Sequence, residues 1–221
     1  TVLGAQGYGA FVDILMDADT HLLIGDGTNM RYYTSAEKAP KKYQLMIVFE
    51  DDSFLAFTVS MYGSIYAFKG EFDNPYYQGS IHKLCPLDER FDKAYFISLI
   101  RNLKKDISAK ALLATEQRIP GLGNGVCQDI LFNARISPKR KISTLSEEDI
   151  DRLFNTVKST LEEMTCRGGR DTEKDLYGAL GNYRTILSKN HDPCPVCGER
   201  IQKEAYLGGS IYYCPHCQRE R

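Results

Sequence analysis

Four of the seven cysteines fall in a pattern suited to coordination chemistry. Cys194-Pro-Val-Cys197 and Cys214-Pro-His-Cys217 form C-x2-C-x16-C-x2-C. A two-residue gap lets two thiolates bend around one tetrahedral ion, and two such knuckles close a four-coordinate zinc–sulfur site. Two disulfides or four free thiols are the competing readings of these residues. With four protein ligands no position is open to water, so the metal is structural and not catalytic. His216 lies inside the second knuckle and is expected to face solvent, because four thiolates already suffice. Energetics point the same way. The 34-residue tail 188–221 is too small to hold itself by core burial. Structural zinc supplies about 10–16 kcal/mol in finger peptides. The remaining Cys85, Cys127 and Cys166 read as buried small apolar residues or spare thiols.

A second stretch suits anion binding. Gly121, Leu122, Gly123, Asn124 and Gly125 precede a helical segment, Val126–Ala134, with Asn124 as the expected N-cap. A helix start presents free backbone N–H groups and favours negative charge. Small residues let a phosphate come close. A plain interhelical turn is the alternative. Basic residues strengthen the anion reading: Lys110 and Arg118 lie upstream, and Arg135, Lys139, Arg140 and Lys141 follow the helix. Together with a metal-held hairpin, the layout offers two supports for a nucleic-acid backbone.

Particular elements must position these groups. Ile201–Tyr206 and Ile211–Tyr213 read as strands around a turn at Leu207, Gly208, Gly209 and Ser210. Phe91–Lys105 and Ser108–Thr115 have helical spacing. Glu147–Arg167 is the clearest helix. Ser146 is its N-cap and Asp149 completes a capping box, with Leu145 and Ile150 at the staple positions. Ile150, Leu153, Phe154, Val157, Leu161 and Met164 line one face, which is read as core. Gly168 and Gly169 stop the helix. Upstream, Tyr43–Glu50 and Ser53–Val59 read as strands joined at Asp51-Asp52, and Met61–Phe68 continues the pattern with Gly63 as a bulge or close approach. Phe11–Leu15 and Leu22–Ile24 flank a turn at Asp17, Ala18 and Asp19. Pro75, Gly79 and Pro86 punctuate the stretch between strands and helices. Short strands at close spacing predict an antiparallel sandwich or barrel.

Composition sets outer bounds. The chain has 221 residues, 43% hydrophobic and 26% charged, the profile of a soluble globular protein. No apolar run approaches the roughly 18 residues that span a bilayer. Thr1–Phe11 lacks the charged start and apolar core of a signal peptide. Net charge is −1, which on its face argues against a nucleic-acid binder. That average hides a split. Residues 1–100 carry 8 Lys and Arg against 13 Asp and Glu, whereas residues 101–221 carry 20 against 16. The basic half points toward a polyanion; ordinary solvated surface is the blander reading.

Residues 108–221 resemble the bacterial formamidopyrimidine-DNA glycosylase / endonuclease VIII family. The resemblance is carried by Lys110-Ala-Leu-Leu113, Gln117-Arg118, Gly121-Leu-Gly-Asn124, Ile130-Leu-Phe132, Ile136-Ser-Pro138, Leu145-Ser146 and the finger Cys194–Arg219. Residues 1–86 look like the second half of the family's N-terminal β-sandwich, with Leu84-Cys-Pro-Leu87 before the first helix. The implied fold class is α+β: an incomplete antiparallel β-sandwich (1–86), a helix-two-turn-helix domain (87–187) and a zinc-finger β-hairpin (188–221). The implied function is removal of damaged bases from DNA with nicking of the abasic site. The family uses an N-terminal proline amine that attacks sugar C1′ and forms a Schiff base, with a neighbouring glutamate assisting. The target nucleotide is flipped from the stack. The implied partner is damaged double-stranded DNA, bound by a monomer in the bacterial cytoplasm at the nucleoid, with no membrane. The implied DNA contacts are Gly123, Asn124, Gly125, Lys110, Arg118, Lys139 and Tyr62. The implied structural zinc ligands are Cys194, Cys197, Cys214 and Cys217.

The chain also departs from the pattern. The opening Pro-Glu is absent, so no residue of this sequence matches the nucleophile, and the chain is expected to be inactive without it. The family's hairpin lysine falls at Ala10, its histidine at Gly25 and its finger arginine at Gly209. The gap-filling methionine falls at Thr28, with Met30 near. Tyr62 stands at the aromatic wedge, with Met61 and Ser60 in place of a basic pair. Arg31, Lys41 and Lys42 are candidates to compensate. Three readings follow: a repair glycosylase with lyase activity, a catalytically inactive DNA-binding paralogue of the same fold, and a zinc-ribbon module for protein assembly.

Overall fold

The computed structural model describes residues 1–60, 62–187 and 192–219. Met61 and the first residues of the expected tail, 188–191, lie outside the described residues. The chain divides into two compact units. One comprises Thr1–Ile81 with Arg167–Tyr183, the other His82–Cys166 with Arg184–Arg221.

The first unit is built from two antiparallel sheets. Strands β1 (Val2–Tyr8), β2 (Phe11–Met16), β3 (Thr20–Gly25) and β7 (Ile65–Lys69) pair in the order β1-β2-β3-β7. Strands β4 (Thr28–Tyr33), β6 (Phe54–Val59) and β5 (Leu45–Val48) form the second sheet in the order β4-β6-β5. The pleat sends alternate side chains to opposite faces. Ile14, Leu22 and Ile24 of the first sheet therefore share a buried cluster with Phe57 of the second. The expected turns are present. Ala18 (φ 54) and Asp19 (φ 52) take the paired positive φ values of a tight hairpin. Asp52 (φ 62) donates its N–H to the Phe49 carbonyl at 3.0 Å. Gly63 is a close approach: a Cβ there would stand 2.5 Å from the Gly27 carbonyl oxygen. Gly63 N–H donates to the Ser60 carbonyl at 2.9 Å, and β7 begins only at Ile65.

The other face of the first sheet is also covered. Helix α1 (Pro75–His82) occupies part of the stretch that Pro75, Gly79 and Pro86 punctuate. Pro75 is its first residue, where a missing N–H costs nothing. The Asn74 carboxamide oxygen accepts from the N–H groups of Tyr76 and Tyr77. Tyr77 then donates its hydroxyl to the buried Asp13 carboxylate at 2.7 Å, and His21 Nδ1 meets the same carboxylate at 3.0 Å. His21 stacks on Phe68. A carboxylate inside a sheet layer is tolerable because both neighbours satisfy it.

The segment Arg167–Tyr183 returns to the sheets. Tyr183 N–H bonds to the Gly169 carbonyl at 2.9 Å, and a Cβ at Gly181 would lie 2.1 Å from that same residue's carbonyl oxygen. The free edge of β4 is closed by the Leu176 carbonyl, which accepts from Tyr32 N–H at 2.9 Å. The Tyr177 ring meets Tyr32 edge-on. The expected partition at 86/87 and 187/188 thus meets a different grouping of contacts, because this segment serves as an edge cover.

The second unit holds α2 (Lys93–Arg101), α3 (Ala109–Ala114), α4 (Asn124–Asn133), α5 (Glu147–Cys166) and the hairpin β8 (Gln202–Tyr206) and β9 (Gly209–Tyr213). Helix α2 is shorter than expected because Asp92 caps it, accepting from Tyr95 N–H at 2.7 Å. The capping box of α5 is formed: Asp149 N–H donates to Ser146 Oγ, and Ser146 N–H to the Asp149 carboxylate. Leu153 and Val157 are fully buried beside Phe91, Phe96, Leu112, Ile130 and Leu131. Among the described residues no helix is long and apolar enough to cross a membrane.

Candidate nucleic-acid interface and metal centre

The four knuckle cysteines converge. Their sulfurs all lie within 4.8 Å of one another, with Cys194 to Cys217 at 3.8 Å and Cys197 to Cys214 at 3.4 Å. Bonds of about 2.3 Å to a central tetrahedral ion require sulfur separations near 3.8 Å, whereas a disulfide requires about 2.05 Å. All seven cysteines are free of disulfides, which removes that reading. Burial, followed by the neighbouring sulfurs, pushes the Cys217 thiol up to about 12. So close a group of thiols ionises fully only around a cation. His216 is exposed, as expected. Of the other thiols, Cys127 is buried and pushed by burial to about 12, while Cys85 and Cys166 are exposed and do not serve as core.

Helix α4 is the beam on which the cysteine hairpin rests. Phe132, Leu187, Cys194 and Cys214 form one buried cluster. The Asp129 carboxylate, fully buried, accepts from the N–H groups of Ile186 and Leu187. Gln218 accepts from Cys214 N–H and donates to the Ile136 carbonyl. Two further bonds set the register of β9. Asn124 Nδ2 donates to the Ser210 carbonyl at 2.8 Å, and Gln128 Oε1 accepts from Tyr212 N–H at 2.6 Å. Four helical residues advance about 6 Å and two strand residues about 6.7 Å, so the spacings match. Gln128 and Asp129 escaped the sequence reading. The i, i+4 relation of Gln128 to Asn124 was the available signal.

The Asn124 bond also revises the expected cap. Gly123 occupies the N-cap position of α4 (φ −83, ψ 171), and no side chain caps the helix. Asn124 is the first helical residue, and its amide serves β9 instead. The outcome suits an anion better than the expected arrangement, because the first N–H groups stay uncapped on an exposed turn. Space beside Gly123 is open to 4 Å, and Gly125 follows on the half-buried side.

The basic candidates are placed unevenly. Lys110 is only 3% exposed, and its Nζ donates to the Tyr206 carbonyl at 2.5 Å. Burial holds its ammonium below the ordinary lysine value. Lys139 pairs with Glu204, and the ammonium groups of Lys110 and Lys139 both lie just under 6 Å from the Tyr206 ring. These two lysines therefore brace the hairpin end at Tyr206. Arg118 turns inward: its Nη1 reaches the Ala111 and Thr115 carbonyls and Thr115 Oγ1, and its Nη2 pairs with Glu116. That clamp holds Glu116 (φ 56) and Gln117 (φ 47) in the left-handed turn after α3. Beyond α4, Arg140 pairs with Asp149 and so does Arg152. The hairpin turn is tighter than expected. Leu207 (φ 50) and Gly208 (φ 76) alone form it, and Gly209 and Ser210 belong to β9. A Cβ at Gly209 would meet the Asn124 carboxamide at 3.5 Å, an ordinary contact.

Tyr62 belongs to the other unit. It is 88% exposed with φ 71, on a turn pinned by Ser60, whose N–H and hydroxyl both donate to the Gly27 carbonyl. Ala10 follows Gly9 in the β1–β2 turn. At Gly25 a Cβ would lie 2.2 Å from Ser64 Oγ.

A helical unit with a cysteine-knuckle hairpin docked on an uncapped helix start, joined to a two-sheet unit, defines a class of DNA-repair fold. The Formamidopyrimidine-DNA glycosylase H2TH domain matches residues 84–175. Over 200 residues the chain is 30% identical to the formamidopyrimidine-DNA glycosylase of Listeria monocytogenes serotype 4b, covering 86% of this chain and 71% of that protein. It is 34% identical over 139 residues to the enzyme of that name from Pelotomaculum thermopropionicum, covering 61% of this chain and 50% of that one. Its fold superposes on MutM (Fpg) from Thermus thermophilus with a TM-score of 0.82 at 24% identity, over 100% of this chain and 84% of the other. The Lactococcus lactis Fpg in complex with DNA containing an abasic site gives a TM-score of 0.83 at 22% identity, covering 100% and 82%. The chain belongs to the formamidopyrimidine-DNA glycosylase family.

Proposed function

We propose that this protein acts in DNA base-excision repair: it binds damaged duplex DNA and serves as a glycosylase and abasic-site lyase. The observation that carries the reading is the uncapped start of α4, held against β9 by Asn124. Charge-assisted hydrogen bonds to a phosphate contribute about 1.5–3 kcal/mol each, and the first N–H groups of α4 can donate them. Zinc in the four-cysteine site holds the hairpin there and does no chemistry, since all four ligand positions are taken by sulfur. Lys110 and Lys139 brace the Tyr206 end, Arg118 shapes the turn before the glycines, and Gly123, Asn124 and Gly125 face the backbone. Tyr62, exposed on its turn, is the wedge beside the lesion. The solved relative bound to abasic-site DNA supports the choice of ligand.

A second reading is DNA binding without base excision. It is favoured by Gly25, where Ser64 fills the space of a side chain, and by Gly209 and Ala10 in place of cationic residues. Borohydride trapping on an abasic-site duplex, with the full-length protein, separates the two. A covalent complex is expected for the lyase; binding without a trapped species would leave only the second reading. Absence of duplex affinity at low salt would remove both and favour protein assembly through the zinc hairpin; phosphate contacts, where present, weaken binding with log salt at about −0.9 per contact.

A further inference from the structure

We propose that a second anion site, for ligands carrying two or more phosphoryl groups, lies at the far end of α4 from Asn124. A cavity of about 680 Å³ opens between the end of α4, the start of α5 and the cysteine knuckles. Its wall carries four guanidiniums, those of Arg135, Arg140, Arg152 and Arg219. Two of them are preorganised. Arg140, nine-tenths buried, is held by Asp149 and the Thr144 carbonyl, and Arg152 by Asp149 and the Ala134 carbonyl. The other two, Arg135 and Arg219, make no side-chain hydrogen bond or ion pair among the described residues.

The carboxylates of the wall leave two of its arginines without an ion-pair partner. Asp149 and Glu148 are its carboxylates, and Asp149 is already shared between two arginines. Cys197 and Cys217 also border the cavity, and a zinc centre of four thiolates keeps a net negative charge, so binding rests on the two unpaired guanidinium forks of Arg135 and Arg219. Guanidinium forks match phosphoryl oxygens in pairs. The volume falls within the usual range for small-ligand sites and is too large for one phosphate ion. The His216 imidazole is the one ring in its lining, with no Phe, Tyr or Trp beside it, so recognition rests chiefly on the phosphoryl groups. The ten residues of α4 separate this cavity from Asn124 by about 15 Å. The proposal does not depend on the repair reading.

Calorimetric titration of the full, zinc-loaded chain with pyrophosphate at low ionic strength tests it. Saturable one-to-one binding is expected, weakened about tenfold or more by Arg135→Gln with Arg219→Gln. Val196→Glu, at an exposed position on the rim, should weaken it without touching an arginine. ADP is the second ligand: affinity equal to pyrophosphate assigns the site to nucleotides, and weaker affinity assigns it to inorganic polyphosphates. Absence of saturable binding at about 1 mM, or affinity unmoved by the variants, overturns the proposal. So does displacement of pyrophosphate by duplex DNA, which would make the cavity part of one DNA face, and so does equal binding of a poly-glutamate peptide.

Discussion

Asn124 directs its amide to the Ser210 carbonyl, which leaves its own helix uncapped. Asn124→Ala removes that exposed bond and should cost at most about 1 kcal/mol of stability. It should weaken duplex binding by more than that, because β9 and the helix start lose their common pin. Paired thermal melts and duplex titrations check this, and unchanged affinity would remove Asn124 from the interface. Gly209→Arg tests the opposite direction. The new Cβ makes only an ordinary contact with Asn124, so the arginine is accommodated. Affinity should rise, and the slope of log affinity against log salt should steepen by about 0.9. A slope that does not change would show that position 209 does not face phosphate. At this scale the sequence displayed residue types but not their direction. Cys194, Cys197, Cys214 and Cys217 were legible because metal geometry demands their spacing. Arg118 and Lys110 were not, since a basic side chain reads the same whether it meets water or a backbone carbonyl.

Helix α5 shows how much a single element can announce. Ser146 and Asp149 predicted its start, and they form the reciprocal bonds expected of them. Of its arginine partners Arg152 sits at i+3 on the same helix, but Arg140 could not be foreseen, because it lies outside the helix. Burial raises the Asp149 carboxyl, but the bonds from Arg152 and Ser146 and the charge of Arg140 outweigh it, leaving it below the ordinary 3.8. A carboxyl depressed in the folded state stabilises fully above its unfolded value and loses that contribution as pH falls through its folded value. Melting temperature should therefore fall from about pH 5 to about pH 3, and less steeply in Asp149→Asn. Parallel acid profiles for the two proteins would exclude this carboxylate as the source. The hairpin β8–β9 gives a second prediction at this scale. Chelation should release about one zinc per chain and melt the knuckles while α5 stays helical, as followed by metal analysis and circular dichroism. A hairpin intact after verified metal loss would show that its bonds to α4 suffice alone. Helix α1 was missed because Pro75 read as a breaker, although a proline is equally at home as a first helical residue.

The chain passes between its two units three times, since Arg167–Tyr183 rejoins the sheets after α5. Contiguous sequence reading places a boundary near residue 86 and sees nothing of that return. A protein cut to residues 1–86 would leave Tyr32 N–H on an open β4 edge without Leu176. Open edges pair with one another, so this fragment should self-associate, as sedimentation would reveal. A well-behaved monomer would show that the edge does not need its cover. The net charge of −1, which argued against DNA, was similarly a property of the whole that no interface experiences. The match between α4 and β9 has a consequence for length. Asn124, Gln128 and Phe132 advance by fours, and Ser210, Tyr212 and Cys214 advance by twos beside them. Helix and strand thus act as a gauge read at three marks. One residue inserted between Ser210 and Cys214 would reverse the side-chain alternation and miss every mark beyond it. The same insertion between Leu207 and Gly208, in an exposed left-handed turn with open space around Gly208, would disturb none. Tolerance to insertion should therefore differ sharply within one small finger, with the strict side set by the helix and the lenient side left to solvent.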